Sequence, residues 1–330
     1  MTSEPTKGNG SFMREAKTIQ NAFTFIDLFA GIGGFHVAAA DNGGRCLFAS
    51  EIDAEAVKTY EANFHVKPHG DITKIDVGHI PAHDMLCAGF PCQPFSIIGN
   101  RMGFGDMRGT LFFEIARILR AKKPPMFILE NVKQLATHDH GRTITRILDC
   151  LRDIGYETHA KVLNALHYGL PQKRERTIIL GFLDHSIQFC WPPRIPKYTP
   201  LSQVLDKDVD RKHFASAMIQ KKRREAHKTT LDISVWHENK GGNVSSHPFS
   251  CALRANASYN YLLVNGKRRL TPREMLRLQG FPETFKIVCS DGSARKQAGN
   301  AVPVPMIRYV IKEMLDAQAT VAGLEEKQRV

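Results

Sequence analysis

A cysteine held between two prolines is the first feature of this chain that could do chemistry. In Gly89-Phe90-Pro91-Cys92-Gln93-Pro94-Phe95-Ser96 the backbone is stiffened on both sides of the thiol, and a positioned thiolate is an intrinsically good nucleophile. Most cysteines are small buried hydrophobes, and that reading stands beside the catalytic one. Glu130-Asn131-Val132 offers a carboxyl that can act as an acid or sit in a loop. Gln172-Lys173-Arg174-Glu175-Arg176 reads alone as a salt-bridged loop; facing the same cleft, Arg176 can hold a carbonyl oxygen. Asp27-Leu28-Phe29-Ala30-Gly31-Ile32-Gly33-Gly34 is a glycine turn of the kind that lets a backbone approach a nucleotide-like ligand, although such turns also serve NAD enzymes or merely turn. Glu51 follows about 20 positions later, at the spacing of an acid suited to ribose hydroxyls. Gly70-Asp71-Ile72 presents a carboxylate fit for an exocyclic amine, and Gln297 to Val302 can return a side-chain amide to the ligand. Glu51 and Asp71 taken singly are ordinary loop acids or helix caps.

These residues need a frame, and the hydrophobic pattern supplies one. Apolar runs at 23–29, 45–49, 84–87 and 126–129 alternate with helical stretches, the signature of βαβ units and a parallel sheet. The clearest helix is 110–121, where Leu111, Phe112, Ile115, Ile118 and Leu119 form one apolar stripe. Residues 156–163 and 177–182 read as later strands. The glycine turn, Glu51, Pro-Cys-Gln and Glu-Asn-Val follow strand ends, where open α/β sheets bind ligands; Gln172 to Arg176 leads into the strand 177–182, and Gln297 to Val302 precedes the last helix. After Phe182 the alternation stops, and Trp191-Pro192-Pro193, Pro196 and Pro200 break the chain, which places a domain boundary there. Thr271-Pro272-Arg273-Glu274 has the N-cap, first-turn proline and third-position acid of a new helix, and a last helix is expected over 304–315.

Composition agrees with a catalytic core that handles a polyanion. The chain has 330 residues, 42% of them apolar, enough for one large domain and a smaller one. Its formal net charge is +12. Between 184 and 268 lie fourteen Lys and Arg against seven Asp and Glu, with a peak at Lys221-Lys222-Arg223-Arg224. That run is either a solvated helix face or a set of phosphate contacts. Seven cysteines without a Cys-x-x-Cys pair point to reduced thiols in a cytoplasmic protein and to no metal. No apolar stretch approaches the roughly 20 residues of a membrane span, so no membrane association is expected.

At this point the chain resembles the DNA (cytosine-5) methyltransferase family of bacterial restriction-modification type. The resemblance is carried by Phe-x-Gly-x-Gly at 29–33, Pro-Cys-Gln at 91–93, Glu-Asn-Val at 130–132 and Gln-Lys-Arg-Glu-Arg at 172–176. Arg-Arg-Leu-Thr-Pro-Arg-Glu at 268–274, Leu-Gln-Gly-Phe-Pro at 278–282 and Gly-Asn at 299–300 continue it, over 23–183 and 267–315. It implies a doubly wound, mostly parallel α/β sheet, the S-adenosylmethionine-dependent methyltransferase fold, with a smaller target-recognition domain. The implied layout is an N-terminal arm (1–21), a catalytic and cofactor domain (22–183 plus 299–320), a recognition domain (184–267), a hinge (268–298) and a tail (321–330).

Residue by residue, the resemblance implies that Cys92 adds to C6 of cytosine, that Glu130 hydrogen-bonds the ring and supplies a proton, and that Arg176 holds O2 with support from Arg174. It implies that S-adenosyl-L-methionine, leaving as S-adenosyl-L-homocysteine, is bound by Phe29, Gly31, Ile32, Gly33, Glu51, Ile52, Asp71, Ile72, Pro91, Leu111, Asn300 and Ala301. Double-stranded DNA is the implied partner, with the target base rotated out of the stack. Arg101 and Arg108 in a closing loop, Lys221, Lys222, Arg223 and Arg224, and Arg254 are the expected DNA contacts. A separately acting cognate restriction endonuclease fits the same picture, and the enzyme is expected to be a monomer. The chain departs from the family in carrying Ala252-Leu253 where relatives often have Thr-Leu, and Ile98 at a position that is polar in some relatives. Three other readings remain: methylation of cytosine in transfer RNA on the same fold, a catalytically dead DNA-binding paralogue, and an NAD dehydrogenase that leaves Pro-Cys-Gln unexplained.

Overall fold

The computed structural model describes residues 23–90 and 111–328, with side chains to residue 323. The arm 1–21, Pro91, Cys92, Arg101, Arg108 and the end of the tail lie outside the described residues.

Seven strands come first in the chain: β1 (Phe23–Leu28), β2 (Gly44–Ser50), β3 (Met85–Gly89), β4 (Met126–Val132), β5 (Glu157–Asn164), the two-residue β6 (Gln172–Lys173) and β7 (Glu175–Phe182). Six of them form one sheet in the order β2-β1-β3-β4-β7-β5. The first four are mutually parallel, and β7 runs antiparallel to both its neighbours. From β1 the chain passes first to β2 on one side and then to β3 on the other, so a topological switch, and with it a crevice, opens at the carboxyl ends of these strands.

Helices cover both faces, which is why the inner strands read as nearly unbroken apolar runs. On one face, α3 (Leu111–Lys122) and α4 (Arg142–Ile154) pack on Ile26, Leu28, Leu86, Phe127 and Leu129. The predicted stripe of α3 is the buried one: Phe112, Ile115, Ile118 and Leu119 are all but inaccessible. Burial of each such side chain contributes about 1.5–3 kcal/mol. On the opposite face, α1 (Gly34–Ala40) and α9 (Val304–Gln328) cover Phe25, Met85, Cys87 and Ile128, while α2 (Ala54–Phe64) packs Tyr60 beside β2. Helix α9 outruns the expected 304–315 because nothing in Asp316-Ala317-Gln318-Ala319-Thr320 breaks a helix, and Ala317 and Val321 still reach the core.

The stretch 184–267 contains short α5 (Leu201–Val204), α6 (Ala217–Ala226), and an antiparallel sheet in the order β11-β8-β9, formed by β8 (Val235–Glu238), β9 (Val244–His247) and β11 (Leu262–Val264). It joins the rest of the chain sideways as well as end to end. Strand β10 (Ser250–Cys251) pairs with β6, and Leu201, Val235, Leu253 and Leu262 share the core cluster that contains α9. Next come α7 (Pro272–Gln279) and α8 (Asp291–Asn300). The capping box predicted at Thr271 forms: its Oγ1 accepts from Glu274 N (3.2 Å), and Glu274 Oε2 accepts from Thr271 N (2.8 Å). Glu274 also takes a bidentate pair from Arg268 at 2.7 and 2.8 Å, so its fully buried charge is compensated.

Candidate active site

The switch crevice holds a cavity of about 480 Å³, a size suited to a small-molecule ligand. Its floor is the glycine turn after β1. Phe29 adopts a positive φ of 56°, strain of the sort that functional loops retain. Glu51, at the end of β2, fixes this turn: its Oε2 accepts from Gly31 N (2.7 Å), and its Oε1 accepts from Ile52 N (2.9 Å) and Asp53 N (2.8 Å). A carboxylate has roughly four lone-pair sites, so the side chain is immobilised and still has capacity for a ligand hydroxyl. Asp71 accepts from Thr73 N and Oγ1 through Oδ1, while Lys74 stays 3.9 Å from its Oδ2.

The structure brings Phe29, Gly31, Ile32, Glu51, Ile52, Asp71, Ile72, Leu111, Asn300 and Ala301 together around this cavity. Gly33 does not line it. Its φ of 86° starts α1, and a Cβ there would overlap the Phe64 ring, so it shapes the turn without facing the ligand. Ile52 leaves 76% of its surface in water at the cavity rim, which is unfavourable unless something apolar covers it. Sequence reasoning did not find the pair that bridges the rim: Lys296 of α8 reaches Asp53 Oδ2 at 2.6 Å. That contact holds the Asp53 carboxyl below its ordinary range.

At the other end, β4 and β7 place a carboxylate against a guanidinium. Glu130 Oε1 lies 2.7 Å from Arg176 Nε, with side-chain exposures of 9% and 13%. Val132 opposite Arg176 is the register that makes this pair, and Asn131 Nδ2 donates to Phe90 O at 3.0 Å, tying the end of β3 to the end of β4. Arg174 behaves differently although it is two residues away. It is 1% exposed, and its guanidinium donates to Leu253 O (2.7 Å), Gly299 O (3.0 Å) and Ala301 O (2.8 Å). Burial, then the nearby Arg176 charge, lowers its pKa to about 9.

The basic run on α6 divides. Lys221, Lys222 and Arg224 are exposed, as is Arg254. Arg223 is 4% exposed and reaches Glu238 Oε2 at 2.5 Å and Asn260 O at 2.8 Å. The expectation that it contacts DNA is corrected by this burial: its charge is already paired within the stretch 184–267.

One buried group belongs to no motif function. Asp27 of β1 is inaccessible, and neither carboxyl oxygen has a hydrogen-bond partner among the described residues. Burial pushes its pKa well above the ordinary carboxylate range, and the Glu51 charge pushes the same way. A folded-state pKa raised above the unfolded one means that the native state binds more protons. The pH-dependent part of the cost of burying Asp27 is therefore absent below about pH 4 and grows as pH rises toward its folded pKa. The wild type is expected to lose stability with rising pH more steeply than Asp27→Asn, by at most about 1.4 kcal/mol per pH unit. Denaturant melts from pH 4 to 8 measure this, and parallel curves would refute it.

A parallel-sheet crevice with fixed acids at one end and a carboxylate–guanidinium pair at the other is a ligand site of an α/β enzyme at its topological switch point. The chain belongs to the C-5 cytosine-specific DNA methylase family, whose model matches residues 23–316. It is 55% identical over 290 residues to the Type II methyltransferase M.NgoBI of Neisseria gonorrhoeae, covering 87% of this chain and 91% of that one. It is 52% identical over 310 residues to M.HaeII of Haemophilus aegyptius, covering 92% and 94%. Among solved structures, the Entamoeba histolytica methyltransferase EhMeth superposes with a TM-score of 0.72 at 17% identity, over 90% of this chain and 99% of that one. A Spodoptera frugiperda DNMT2 mutant gives 0.71 at 18%, over 88% and 99%. The two structures speak to fold alone. The chain is a cytosine-specific DNA methyltransferase of restriction-modification type.

Proposed function

We propose that this enzyme transfers a methyl group from S-adenosyl-L-methionine to C5 of cytosine within one specific double-stranded DNA sequence, acting on a base rotated out of the helix. The observation that carries the reading is the Glu130–Arg176 pair at one end of a cavity whose other end is fixed by Glu51. The cavity suits the cofactor. Glu51, with lone pairs to spare, fits ribose hydroxyls, Asp71 fits an exocyclic amine, and exposed Ile52 offers an apolar rim. When bound, the cofactor supplies an electrophilic methyl on a sulfonium.

Cys92 follows Phe90 by two residues, and Phe90 lines the cavity. In the proposed reaction the Cys92 thiolate forms a bond to C6 while Glu130 delivers a proton to N3, so no charge accumulates on the ring. Arg176 holds both Glu130 and the base O2. C5 would take the methyl group that bound S-adenosyl-L-methionine would supply as its sulfur–methyl bond breaks, with S-adenosyl-L-homocysteine leaving; Glu130 takes back the N3 proton, a base removes the C5 proton, and the electron pair left at C5 expels the Cys92 thiolate. Arg101, Arg108, Lys221, Lys222, Arg224 and Arg254 are proposed to meet DNA. Among the described residues no helix is long and apolar enough to cross a membrane. The enzyme is proposed to act in the cytoplasm as a monomer, with a cognate restriction endonuclease acting separately on the same sequence.

Labelled cofactor offered with duplex DNA and, separately, with transfer RNA tests the reading, followed by bisulfite sequencing of the product. The expected result is 5-methylcytosine in one recurring DNA context. Label confined to transfer RNA, or carried by another base, would overturn it.

A further inference from the structure

The acid end of the cavity is rich in acceptors and short of donors. Glu51, Asp53 and Asp71 line it, and a carboxylate only accepts. The backbone donors around Glu51 are already spent: Gly31 N, Ile52 N and Asp53 N all donate to its two oxygens, at 2.7, 2.9 and 2.8 Å. A ligand hydroxyl is one donor and two acceptor sites. Glu51 can take the proton of a ribose hydroxyl, and the oxygen lone pairs then face acids and satisfied amides. Leaving such acceptors unmet in a closed site is costly.

Lys296 of α8 is the group that can meet them. Arg174 and Arg176 belong to the far end, so among the described residues Lys296 is the cation that lines the acid end. Its ammonium has three N–H donors. One goes to Asp53 Oδ2 at 2.6 Å, and the other two have no partner among the described residues. That contact also aims the side chain, because Asp53 is itself fixed twice. Asp53 N is held by Glu51, and Asp53 Oδ1 accepts from Glu55 N (3.0 Å) and Ala56 N (3.3 Å) as the N-cap of α2. The Asp53 contact first, and the Glu51 charge after it, raise the pKa of the ammonium, so it keeps all its protons at neutral pH.

The pair is not needed as a structural tie. With side-chain exposures of 54% and 30% it is open to water, where ion pairs add little to stability. Helix α2 is already joined to α8 and to the segment before it. Gln297 Oε1 lies 3.2 Å from Thr59 Oγ1, and Asn63 and Lys286 exchange two hydrogen bonds of 2.7 and 3.1 Å.

We propose that Lys296 is a cofactor-binding residue that donates to the ribose hydroxyl oxygens whose protons Glu51 accepts, and that Asp53 is the positioning residue that aims it. This rests on the S-adenosyl-L-methionine-dependent function proposed above and adds a selectivity to it. Glu51 and Lys296 together offer an acceptor and a donor to one diol, and so select a ribose over a deoxyribose.

Calorimetry of the full-length enzyme with S-adenosyl-L-homocysteine and with its 2′,3′-dideoxy analogue tests this, in the wild type and in Lys296→Met, which keeps an apolar stem and removes the donors. The expected result is a loss of about tenfold in affinity for S-adenosyl-L-homocysteine, the low end for a hydrogen bond to a charged group. Affinity for the dideoxy analogue should change by no more than about twofold, because the partner atoms are missing there. Asp53→Asn keeps an acceptor for the start of α2 and should lose less than Lys296→Met, with the same dependence on the hydroxyls. Equal losses for both ligands would mean that Lys296 only shapes the cavity, and no loss for either would mean that it does not touch the cofactor; each result overturns the proposal. Failure of the underlying function looks different: the wild type itself would bind neither ligand.

Discussion

A Glu130→Gln enzyme is expected to bind cofactor and DNA as the wild type does and to lose about 10²- to 10⁴-fold in kcat, the range general-acid assistance supplies. Glutamine keeps the shape of the side chain and an oxygen for Arg176 Nε, which sits 2.7 Å from the carboxylate, so the β4–β7 pairing at this point survives. What it lacks is a transferable proton. Without one, addition of the thiolate leaves negative charge on the ring. Single-turnover methylation isolates that step from product release, and thermal melting controls for damage to the site. An enzyme that folds normally and turns over at near wild-type rate would remove Glu130 from the mechanism.

How much of this site could be read in advance follows from which contacts are local. That Glu51 and the glycine turn share one crevice was legible because two adjacent parallel strands bring their ends together, a consequence of hydrophobic runs 20-odd residues apart; the bond between Glu51 and Gly31 N was not. The capping box at Thr271 was legible because all its atoms lie within four residues. Strands β5 and β7 were visible as apolar runs, but their opposed directions depend on the connection between them and leave no mark on periodicity.

The sheet β11-β8-β9 left even less trace. Val-Ser-Ser-His and Val-Trp-His-Glu are four-residue strands of mixed polarity, half-buried on a small sheet, and carry no alternation strong enough to register. Arg223 was misassigned for a related reason. In the sequence it is one of four identical-looking cations, and only the fold brings Glu238 and Asn260 to its side of α6. Arg174 and Arg176 illustrate the same limit. They are two apart, yet the chain bends at Arg174, where its N–H bonds Gln172 O, and the two guanidiniums go to different tasks.

The largest effect is expected at Cys92, and the other thiols show why. Cys87 is fully buried, and burial raises its pKa well above the ordinary thiol range; burial pushes Cys46 up to about 12 and Cys150 up to about 11. Cys251 and Cys289 are raised for the same reason, and exposed Cys190 does not line the cavity. None of these six is both ionisable near neutral pH and placed at the Glu130–Arg176 pair, which leaves Cys92 as the nucleophile the proposed chemistry requires. If it adds to C6, DNA carrying 5-fluorocytosine at the target is methylated once and then stays bonded to the enzyme, because fluorine cannot leave C5 as a proton does. The complex should survive denaturing electrophoresis and form only with S-adenosylmethionine present. Cys92→Ser is expected to abolish both trapping and turnover, since a hydroxyl offers almost no anion at neutral pH whereas a few per cent of an ordinary thiol is ionised. Cys87→Ser should trap as the wild type does, and Cys92→Ser should still bind target DNA, because its cofactor cavity and basic surfaces are untouched. Turnover by Cys92→Ser at near wild-type rate would end the covalent mechanism and leave methyl transfer to be explained by the Glu130–Arg176 pair alone.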